Sequence, residues 1–417
     1  KERASYLEKI ANELEANMDL IAELESKDTG KPITLARNVD ATRSVANFRF
    51  FAEAIKTLPA ESHEMPDAMN YTLRKAIGTV GLITPWNLPL YLLSWKVAPA
   101  LIMGNTVIAK PSELTPMTAD YLAKTIHKIG LPAGVFNLIH GVGKDAGQAI
   151  VENPSIGAIS FTGGTETGKQ VARVSAPLFK KISLELGGKN SSIIFSDCDL
   201  DKTISGVARA AFLNNGQVCL AGSRILVEDS IFEKFVELFT KKVSEMNIGD
   251  PMQPDTELGS LVSMQHLDKV KQYIKLGLEE GGVILYGGKV PIMSDALKNG
   301  AFIEPTIISN VETNSRISTE EIFGPIVTLH SFEDEQNAIS IANNVDYGLA
   351  ASVWTQDIEK AERVSSKLET GMVWINTWLH RDLRVPFGGV KSSGVGREGG
   401  KYSLEFFSET QNICIKY

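Results

Sequence analysis

The feature that most constrains the fold is an alternation of helix-like and strand-like segments along the first half of the chain. Apolar residues spaced three to four apart indicate helices, whereas short apolar runs broken by Gly and Pro indicate buried strands of a parallel sheet. The predicted helices span 3–27, 40–57, 118–129 and 147–152. The predicted strands span 78–84, 105–109, 135–140 and 158–161. This alternation predicts a doubly wound α/β sheet.

A second series of the same kind begins after Gly187 and Gly188. Its predicted strands and helices lie at 192–195, 203–212, 224–227, 232–246, 266–280 and 350–354. The last residues, 408–417, alternate Ile with polar side chains and predict a strand that needs a sheet edge to pair with. Because 417 residues exceed what one hydrophobic core accommodates, we expect a second α/β domain.

Charge and hydropathy exclude several classes of partner. The formal net charge is -8 and no block of Lys or Arg occurs, so we expect neither nucleic acid nor an anionic membrane surface to bind. The most apolar run, 88–104, contains Lys96 at its centre and Pro89 and Pro99. These residues favour a segment of the buried core over a membrane span.

The three cysteines have no metal-ligand spacing and are too few to cross-link a chain of this size. We therefore expect no metal site and a reducing, cytoplasmic compartment. The sequence begins at Lys1 inside a helical pattern, so we expect that an N-terminal segment, with any targeting peptide, precedes it in the full-length protein.

Two glycine-rich segments resemble phosphate-binding motifs. Residues 394–399 (GVGREG) have the dinucleotide spacing, but the polar residues before them predict no strand, so we do not expect a Rossmann turn there. Residues 163–169 (GGTETGK) follow a strand but lack the Ser or Thr that holds magnesium in a P-loop. Together with the glycines of 141–147, they still offer backbone N–H groups to an anion. This predicts a nucleotide-binding first domain of a nonstandard Rossmann type.

Cys219 is the predicted nucleophile. It lies in 214–224 (NNGQVCLAGSR), between a helix and a strand, where small and polar neighbours leave N–H groups open and the thiol accessible. The alternative is a buried cysteine that only packs. Cys198 lies between two aspartates, whose charge disfavours its thiolate, and Cys414 lies in the terminal strand, so neither is a rival nucleophile.

Six short motifs, in this order along the chain, resemble the aldehyde dehydrogenase superfamily. They are 85–87 (PWN), 110–113 (KPSE), 185–188 (ELGG), 216–219 (GQVC), 321–325 (EIFGP) and 386–389 (PFGG). Each motif is weak alone, but the set covers nearly the whole chain. The resemblance implies oxidation of an aldehyde to a carboxylic acid with a nicotinamide cofactor.

The resemblance also assigns catalytic roles by position. Cys219 would attack the aldehyde to form a thiohemiacetal, which becomes a thioester after hydride transfer. Glu185 would be the base that activates the hydrolytic water, a role that a pKa raised towards neutrality suits. The alternative for Glu185 is a surface carboxylate at a strand end. Asn87 and the backbone N–H of Cys219 would donate hydrogen bonds to the developing oxyanion.

Cofactor-binding positions follow from the same resemblance. Those that match are Thr84, Pro85, Trp86, Lys110, Glu113, Gly143, Gly147, Gly163, Gly164, Gly187, Glu321 and Phe323. Lys110 and Glu113 would bind the adenosine ribose, and the acidic Glu113 favours NAD over NADP by repelling a 2′-phosphate. Gly143 and Gly147 would let the adenine approach, whereas Glu321 and Phe323 would hold the nicotinamide ribose and ring.

Gly164 departs from the family pattern, which has Ser at this position with its hydroxyl on the cofactor pyrophosphate. Loss of that hydrogen bond is expected to weaken cofactor affinity by roughly 1 kcal/mol.

Three longer segments resemble one branch of the family, which oxidises 2-aminomuconic semialdehyde in the kynurenine route and is also labelled retinal dehydrogenase. They are 43–52, 85–93 and 376–389. Such a substrate carries a carboxylate remote from its aldehyde, and Arg43 and Arg381 are the candidates to bind it with a guanidinium fork. The alternative for each is a surface or interdomain ion pair. His380 departs from the branch pattern.

The resemblance implies a division into domains. Residues 1–57 and 77–188 would form the NAD-binding domain, 189–388 the α/β catalytic domain, and 389–407 a segment that returns to the first domain. Residues 58–76 and 408–417 would form a small β oligomerisation element of a homodimer or homotetramer. Two other functions stay open: a dehydrogenase of aliphatic, aromatic or retinoid aldehydes, and a crystallin-like structural protein without activity.

Overall fold

The fold is described from a computed structural model that covers residues 1–417. The helices are α1 (Glu2–Ala16), α2 (Met18–Thr29), α3 (Ile33–Leu35), α4 (Thr42–Ala54), α5 (Pro89–Ile102), α6 (Met117–Lys128), α7 (Gln148–Glu152), α8 (Thr165–Ser175), α9 (Leu200–Phe212), α10 (Phe232–Ser244), α11 (Met264–Glu279), α12 (Arg316–Thr319), α13 (Glu335–Asn343), α14 (Ile358–Ser365) and α15 (Gly400–Phe406).

Eighteen strands alternate with these helices. They are β1 (Ser62–Met65), β2 (Ala68–Ala76), β3 (Thr79–Ile83), β4 (Thr106–Lys110), β5 (Phe136–Leu138), β6 (Ile156–Thr162), β7 (Lys181–Glu185), β8 (Ser191–Ile194), β9 (Arg224–Glu228), β10 (Val283–Tyr286), β11 (Thr306–Ser309), β12 (Ile326–Phe332), β13 (Tyr347–Gly348), β14 (Ala350–Trp354), β15 (Met372–Ile375), β16 (Val390–Lys391), β17 (Gly394–Val395) and β18 (Ser408–Lys416).

The single helix predicted at 3–27 is wrong: two helices, α1 and α2, meet at Asn17. Asn17 has φ -124° and ψ 26°, outside the helical region, and its side-chain amide donates to the carbonyl oxygen of Glu13. An Asn side chain competes with the backbone for such hydrogen bonds, so it interrupts a helix that apolar spacing alone predicts as continuous. Buried positions keep a spacing of three to four residues within each helix, and Leu14 and Ile21 are seven apart, so the pattern continues across the break.

A six-stranded sheet, in the order β17-β7-β6-β3-β4-β5, forms the first half of the structure. All its neighbours are parallel except β17, which runs antiparallel to β7. Register pairs Ile83 with both Lys110 and Phe161, and Thr162 with Glu185. Strand ends that bear polar side chains therefore lie side by side at the carboxyl edge, where ligands bind in parallel α/β sheets.

A seven-stranded sheet, in the order β10-β11-β12-β9-β8-β14-β15, forms the second half. It is parallel except for β10. The predicted terminal strand pairs along its whole length with β2, antiparallel, from Ser408 opposite Ala76 to Lys416 opposite Ala68. Together with β1 it makes a three-stranded sheet in which β18 is an edge strand.

The start of α5 is fixed by a buried carboxylate. Glu25, on α2, accepts a hydrogen bond from the Leu90 backbone N–H (2.9 Å) and another from the Thr118 hydroxyl (2.8 Å). Lys31 lies between Glu25 and Asp40 in the same cluster, fully buried. Since Asn87 is only three residues before Leu90, the cluster also fixes the loop that carries this amide.

No helix of the structure combines the length and hydropathy that a membrane span needs.

Candidate active site

A cleft of about 440 Å³ opens at the carboxyl edge of the first sheet, a volume within the range of small-molecule sites. Its walls contain two of the predicted catalytic residues, Cys219 and Asn87. They also contain ten of the twelve predicted cofactor-binding residues: Thr84, Pro85, Trp86, Lys110, Glu113, Gly163, Gly164, Gly187, Glu321 and Phe323. Residues far apart in the sequence therefore converge on one cavity.

The loop before Cys219 has an unusual backbone. Asn214, Asn215 and Gly216 all have positive φ angles, 53°, 54° and 67°. Asn tolerates this left-handed region better than most residues, and a Cβ on Gly216 would lie 2.4 Å from the carbonyl oxygen of Gly324. The Asn215 amide donates to the Gly259 carbonyl oxygen (2.7 Å), so side chains hold the turn in place. The NNG sequence thus folds into a tight turn that presents the cysteine to the cleft.

Cys219 is a free, partly exposed thiol in the cleft wall, so it is not sealed in packing. The surrounding protein removes water from the sulfur, and together with the negative charges of Glu185 and Glu321 this raises the pKa of the thiol to about 12. The positive charge of Arg381 opposes the shift. The thiol therefore holds its proton at neutral pH and must transfer it to a base when sulfur attacks a carbonyl. Burial and the charges of Asp197 and Asp199 likewise raise the pKa of Cys198, as the sequence predicted.

Asn87 also lines the cleft and is hydrogen-bonded to the loop that carries Cys219. The side-chain amide of Asn87 donates one hydrogen to the Gln217 backbone carbonyl oxygen (2.9 Å). The backbone carbonyl oxygen of Asn87 accepts a hydrogen bond from the Asn214 side-chain amide (3.2 Å). The amide nitrogen carries a second hydrogen, which is free to donate. Asn87 and the Cys219 loop therefore form a single fixed unit with a spare donor at the cleft.

Glu185 ends β7 and is buried, so it is not the surface carboxylate that the sequence left open. Burial, reinforced by the charge of Glu398, raises its pKa well above the usual value, although Lys96, Arg381 and Arg397 oppose the shift. Its Oε1 atom has no hydrogen-bond partner and faces Gly388, where an added Cβ would lie 2.7 Å away. The carboxylate does not line the cleft in this conformation, so the predicted role as base requires its side chain to rotate towards Cys219.

Polar groups along the cleft suit a nucleotide. The Lys110 ammonium group lies 3.4 Å from the half-exposed Glu113 carboxylate. Farther along, Glu321 accepts a hydrogen bond from the Gly188 backbone N–H (3.0 Å), and burial raises its pKa. A Cβ on Gly187 would lie 2.2 Å from the Glu321 carboxylate, so any side chain at this position would displace that carboxylate.

Gly163 and Gly164 precede α8, whose first turn has no side-chain cap. Uncapped N–H groups at a helix N-terminus attract anions such as a pyrophosphate. Gly143 and Gly147, by contrast, do not line the cleft; they belong to a π-helical turn at 143–147. Gly147 lies beside Lys110, with its Cβ position 3.7 Å from the lysine side chain.

An aromatic cluster closes one side of the cleft, and part of it was missed by the sequence reasoning. The Trp86 ring lies 5.2 Å from both Phe323 and His266, and the His266 ring is 2.7 Å from the Phe323 carbonyl oxygen through Nε2. Phe323 has a positive φ of 62°. Burial lowers the pKa values of His266 and of Lys269, which also lines the cleft. Neither α11 residue stands in a motif, so only the tertiary fold reveals them.

Arg381 lies outside the cofactor cleft, and its charge acts on both Cys219 and Glu185. Its Nη1 donates to the Tyr91 hydroxyl (2.6 Å), whereas Nε and Nη2 are buried without a hydrogen-bond partner. Arg43 is half-buried above the same Tyr91 ring, 5.9 Å from its centre. Neither arginine forms an ion pair, so the salt-bridge alternative is wrong for both.

Two α/β sheets and a cleft that contains a free thiol and polar groups suited to a nucleotide are features of a nucleotide-dependent enzyme. The chain belongs to the aldehyde dehydrogenase family, whose model matches residues 1–413. The family predicted from six short motifs is therefore confirmed.

Curated relatives of this chain include two dehydrogenases of muconic semialdehydes. The chain is 47% identical over 421 residues to a 2-aminomuconic 6-semialdehyde dehydrogenase of Pseudomonas sp., covering 100% of this chain and 86% of the relative. It is 46% identical to a 2-hydroxymuconic semialdehyde dehydrogenase of Pseudomonas sp. strain CF600, covering 100% and 87%. Among solved structures, betaine aldehyde dehydrogenase from Staphylococcus aureus, in complex with NAD+, superposes with a TM-score of 0.96 at 40% identity, covering 99% and 82%.

Proposed function

We propose that this protein oxidises a carboxylated semialdehyde, such as 2-aminomuconate semialdehyde, to the dicarboxylic acid with NAD. The observation that carries the substrate class is the buried, unpartnered Nε and Nη2 edge of Arg381 close to Cys219. The family membership and the muconic semialdehyde relatives support the reaction and the class of substrate.

The cleft fits NAD by its own chemistry. The uncapped start of α8 suits the pyrophosphate, Lys110 and Glu113 suit the adenosine ribose, and Glu321 suits the ribose beside the nicotinamide. The negative charge of Glu113 disfavours a 2′-phosphate, which supports NAD over NADP. When bound, NAD supplies the acceptor for the hydride that leaves the former aldehyde carbon.

The protein's own residues perform the covalent steps. The sulfur of Cys219 loses its proton to solvent as it bonds to the aldehyde carbon, and the carbonyl oxygen becomes an alkoxide held by Asn87. Loss of hydride from that carbon leaves a thioester. Glu185 then removes a proton from water, and the water oxygen attacks the thioester. The carboxylic acid leaves and Cys219 regains its proton.

Arg381 explains why a carboxylate would bind next to this chemistry. Its guanidinium carbon lies 4.5 Å from the centre of the Trp95 ring and 4.0 Å from that of Phe387, so these two rings restrict its movement. The two unpartnered nitrogens lie on one edge and donate in parallel, the geometry that one carboxylate accepts. Buried donors without acceptors are costly, and a substrate carboxylate would remove that cost. An apolar aldehyde such as retinal would leave it in place.

Arg381→Ala tests the substrate class. We expect kcat/KM for a carboxylated semialdehyde to fall about 100-fold, since two charge-assisted hydrogen bonds contribute about 3 kcal/mol. We expect less than a threefold change for an uncharged aliphatic aldehyde. The measurement is the steady-state rate of NADH formation, followed by absorbance, with both substrates.

Arg384→Ala is a matched control. Arg384 lies three positions after Arg381 in the same loop, is exposed, and forms an ion pair with Asp382. It should leave both substrates unaffected. Equal losses for the two substrates in Arg381→Ala would contradict the proposal and favour a dehydrogenase of uncharged aldehydes. No oxidation of any aldehyde by the unaltered protein would favour the crystallin-like alternative.

Gly164→Ser should strengthen NAD binding. Nothing lies within 4 Å of a Cβ at this position, and its φ of -69° suits any residue. A serine hydroxyl could then donate to the pyrophosphate, so we expect Kd for NAD to decrease about fivefold, or roughly 1 kcal/mol. Titration calorimetry measures Kd directly, with Gly164→Ala as the control that adds a Cβ but no hydroxyl. If Ala strengthened binding as much as Ser, the hydroxyl would have no role.

We also propose the domain division given above and a homodimer or homotetramer. The three larger sheets support the division, and the unpaired outer edge of β18 supports assembly by strand pairing. The cytoplasmic location and the kynurenine route stay predictions.

A further inference from the structure

We propose that Tyr91 is a positioning residue that aims the Nε and Nη2 edge of Arg381 at the substrate carboxylate and so sets the preference for anionic aldehydes. This inference rests on the proposed function, because it concerns the same arginine. Tyr91 lies in the first turn of α5, four residues after Asn87, and was not among the candidate site residues predicted from the sequence.

The Tyr91 hydroxyl selects which edge of the guanidinium stays free. A guanidinium can present a carboxylate either Nη1 with Nη2 or Nε with Nη2. In this structure Nη1 is occupied by the Tyr91 oxygen at 2.6 Å, so only the second edge has both its donors free. The Trp95 and Phe387 rings restrict the movement of the group, and the hydroxyl limits its rotation.

Tyr91 is itself held firmly enough to act as a reference point. Its side chain is buried, and its carbonyl oxygen accepts hydrogen bonds from the Ser94 hydroxyl (2.8 Å) and the Asn47 amide (3.2 Å). Asn47 lies on α4, so a second helix braces the first turn of α5. Small movements of Arg381 are therefore limited by elements outside its own loop.

Arg43 gives Tyr91 a second role. The Arg43 guanidinium lies above the Tyr91 ring, so one neutral aromatic residue contacts two unpaired positive charges. The electron-rich ring face attracts one cation, while the hydroxyl oxygen accepts from the other. Neither guanidinium forms an ion pair with a carboxylate of the chain, and Tyr91 contacts both. Such an arrangement favours an anion as the incoming group.

Tyr91→Phe separates this role from simple packing, because Phe keeps the ring and its contact with Arg43 but removes the hydroxyl. We expect KM for a carboxylated semialdehyde to rise about tenfold, with kcat changed less than twofold. KM for an uncharged aldehyde should stay the same. Calorimetric Kd for muconate, a dicarboxylate probe, should weaken about tenfold as well. Tyr121→Phe, which removes a hydroxyl from helix α6, is the matched control and should change none of these values.

The double variant Tyr91→Phe/Arg381→Ala gives the decisive comparison. If Tyr91 acts through Arg381, the double variant should be no worse than Arg381→Ala alone. Additive losses, or equal losses for charged and uncharged aldehydes in Tyr91→Phe, would overturn the inference. An unchanged muconate Kd in Tyr91→Phe would also overturn it, even if Arg381→Ala confirmed the substrate class. If Arg381→Ala itself had no selective effect, the proposed substrate class and this inference would both be wrong.

Discussion

Cys219→Ser should lower aldehyde-dependent NADH formation by about 10⁴-fold or more, because a serine hydroxyl at this position has no base arranged to activate it and the thioester cannot form. The thiol lies in the cleft wall beside Asn87, in a turn built by consecutive left-handed residues. Serine is nearly the same size, so the turn and the cleft should be unchanged. Rates are measured by NADH absorbance, and NAD affinity by calorimetry.

Cys198→Ser is the matched control for this experiment. Cys198 is half-buried between aspartates, outside the cleft, so its substitution should leave the rate within twofold of the unaltered protein. Cys219→Ser should bind NAD as the unaltered protein does. Loss of NAD binding together with activity would mean that Cys219 has a structural role, and substantial activity in Cys219→Ser would rule out its role as nucleophile.

Glu185→Gln should lower kcat by about 10²- to 10⁴-fold, the range typical of a lost general base. Glutamine keeps the size of the side chain and cannot accept a proton. If Glu185 mainly activates water, Glu185→Gln should still show a rapid first turnover of NADH followed by a slow steady state, because the thioester accumulates. Stopped-flow absorbance separates the two phases.

The pH dependence gives an independent test of the same residue. Burial and the charge of Glu398 raise the pKa of Glu185, and only its deprotonated form accepts a proton. The rate of the unaltered protein should therefore rise with pH as Glu185 loses its proton, at a pH well above the usual carboxyl range. In Glu185→Gln this rising limb should disappear. If the limb persisted unchanged, another group would be the base.

Much of the fold follows from local patterns. The predicted strand at 350–354 coincides with β14, and most other segments lie within a few residues of the observed ones. Buried parallel strands give a strong signal because both faces are apolar. The break at Asn17 was missed because apolar periodicity measures which face is buried and is insensitive to a single side chain that caps a helix.

The site was only partly predictable. Cys219 and Asn87 stand in recognisable motifs, and the structure brings them into one cleft as expected. Sequence could not show that the Glu185 carboxylate faces Gly388, because the orientation of this side chain depends on a neighbour that lies 203 positions farther along the chain. Nor could it reveal that Tyr91 joins Arg43 to Arg381, which come from opposite ends of the chain.

The central claim is that one sulfur forms the covalent intermediate, and mass spectrometry of the trapped protein tests it most directly. Glu185→Gln is mixed with NAD and a carboxylated semialdehyde, quenched in acid after the first turnover and digested. The account predicts that the peptide containing Cys219 gains the mass of the aldehyde less two hydrogens, and that this adduct requires NAD. Rapid NADH formation with no adduct on Cys219, or with an adduct on Cys198 or Cys414 instead, would contradict it.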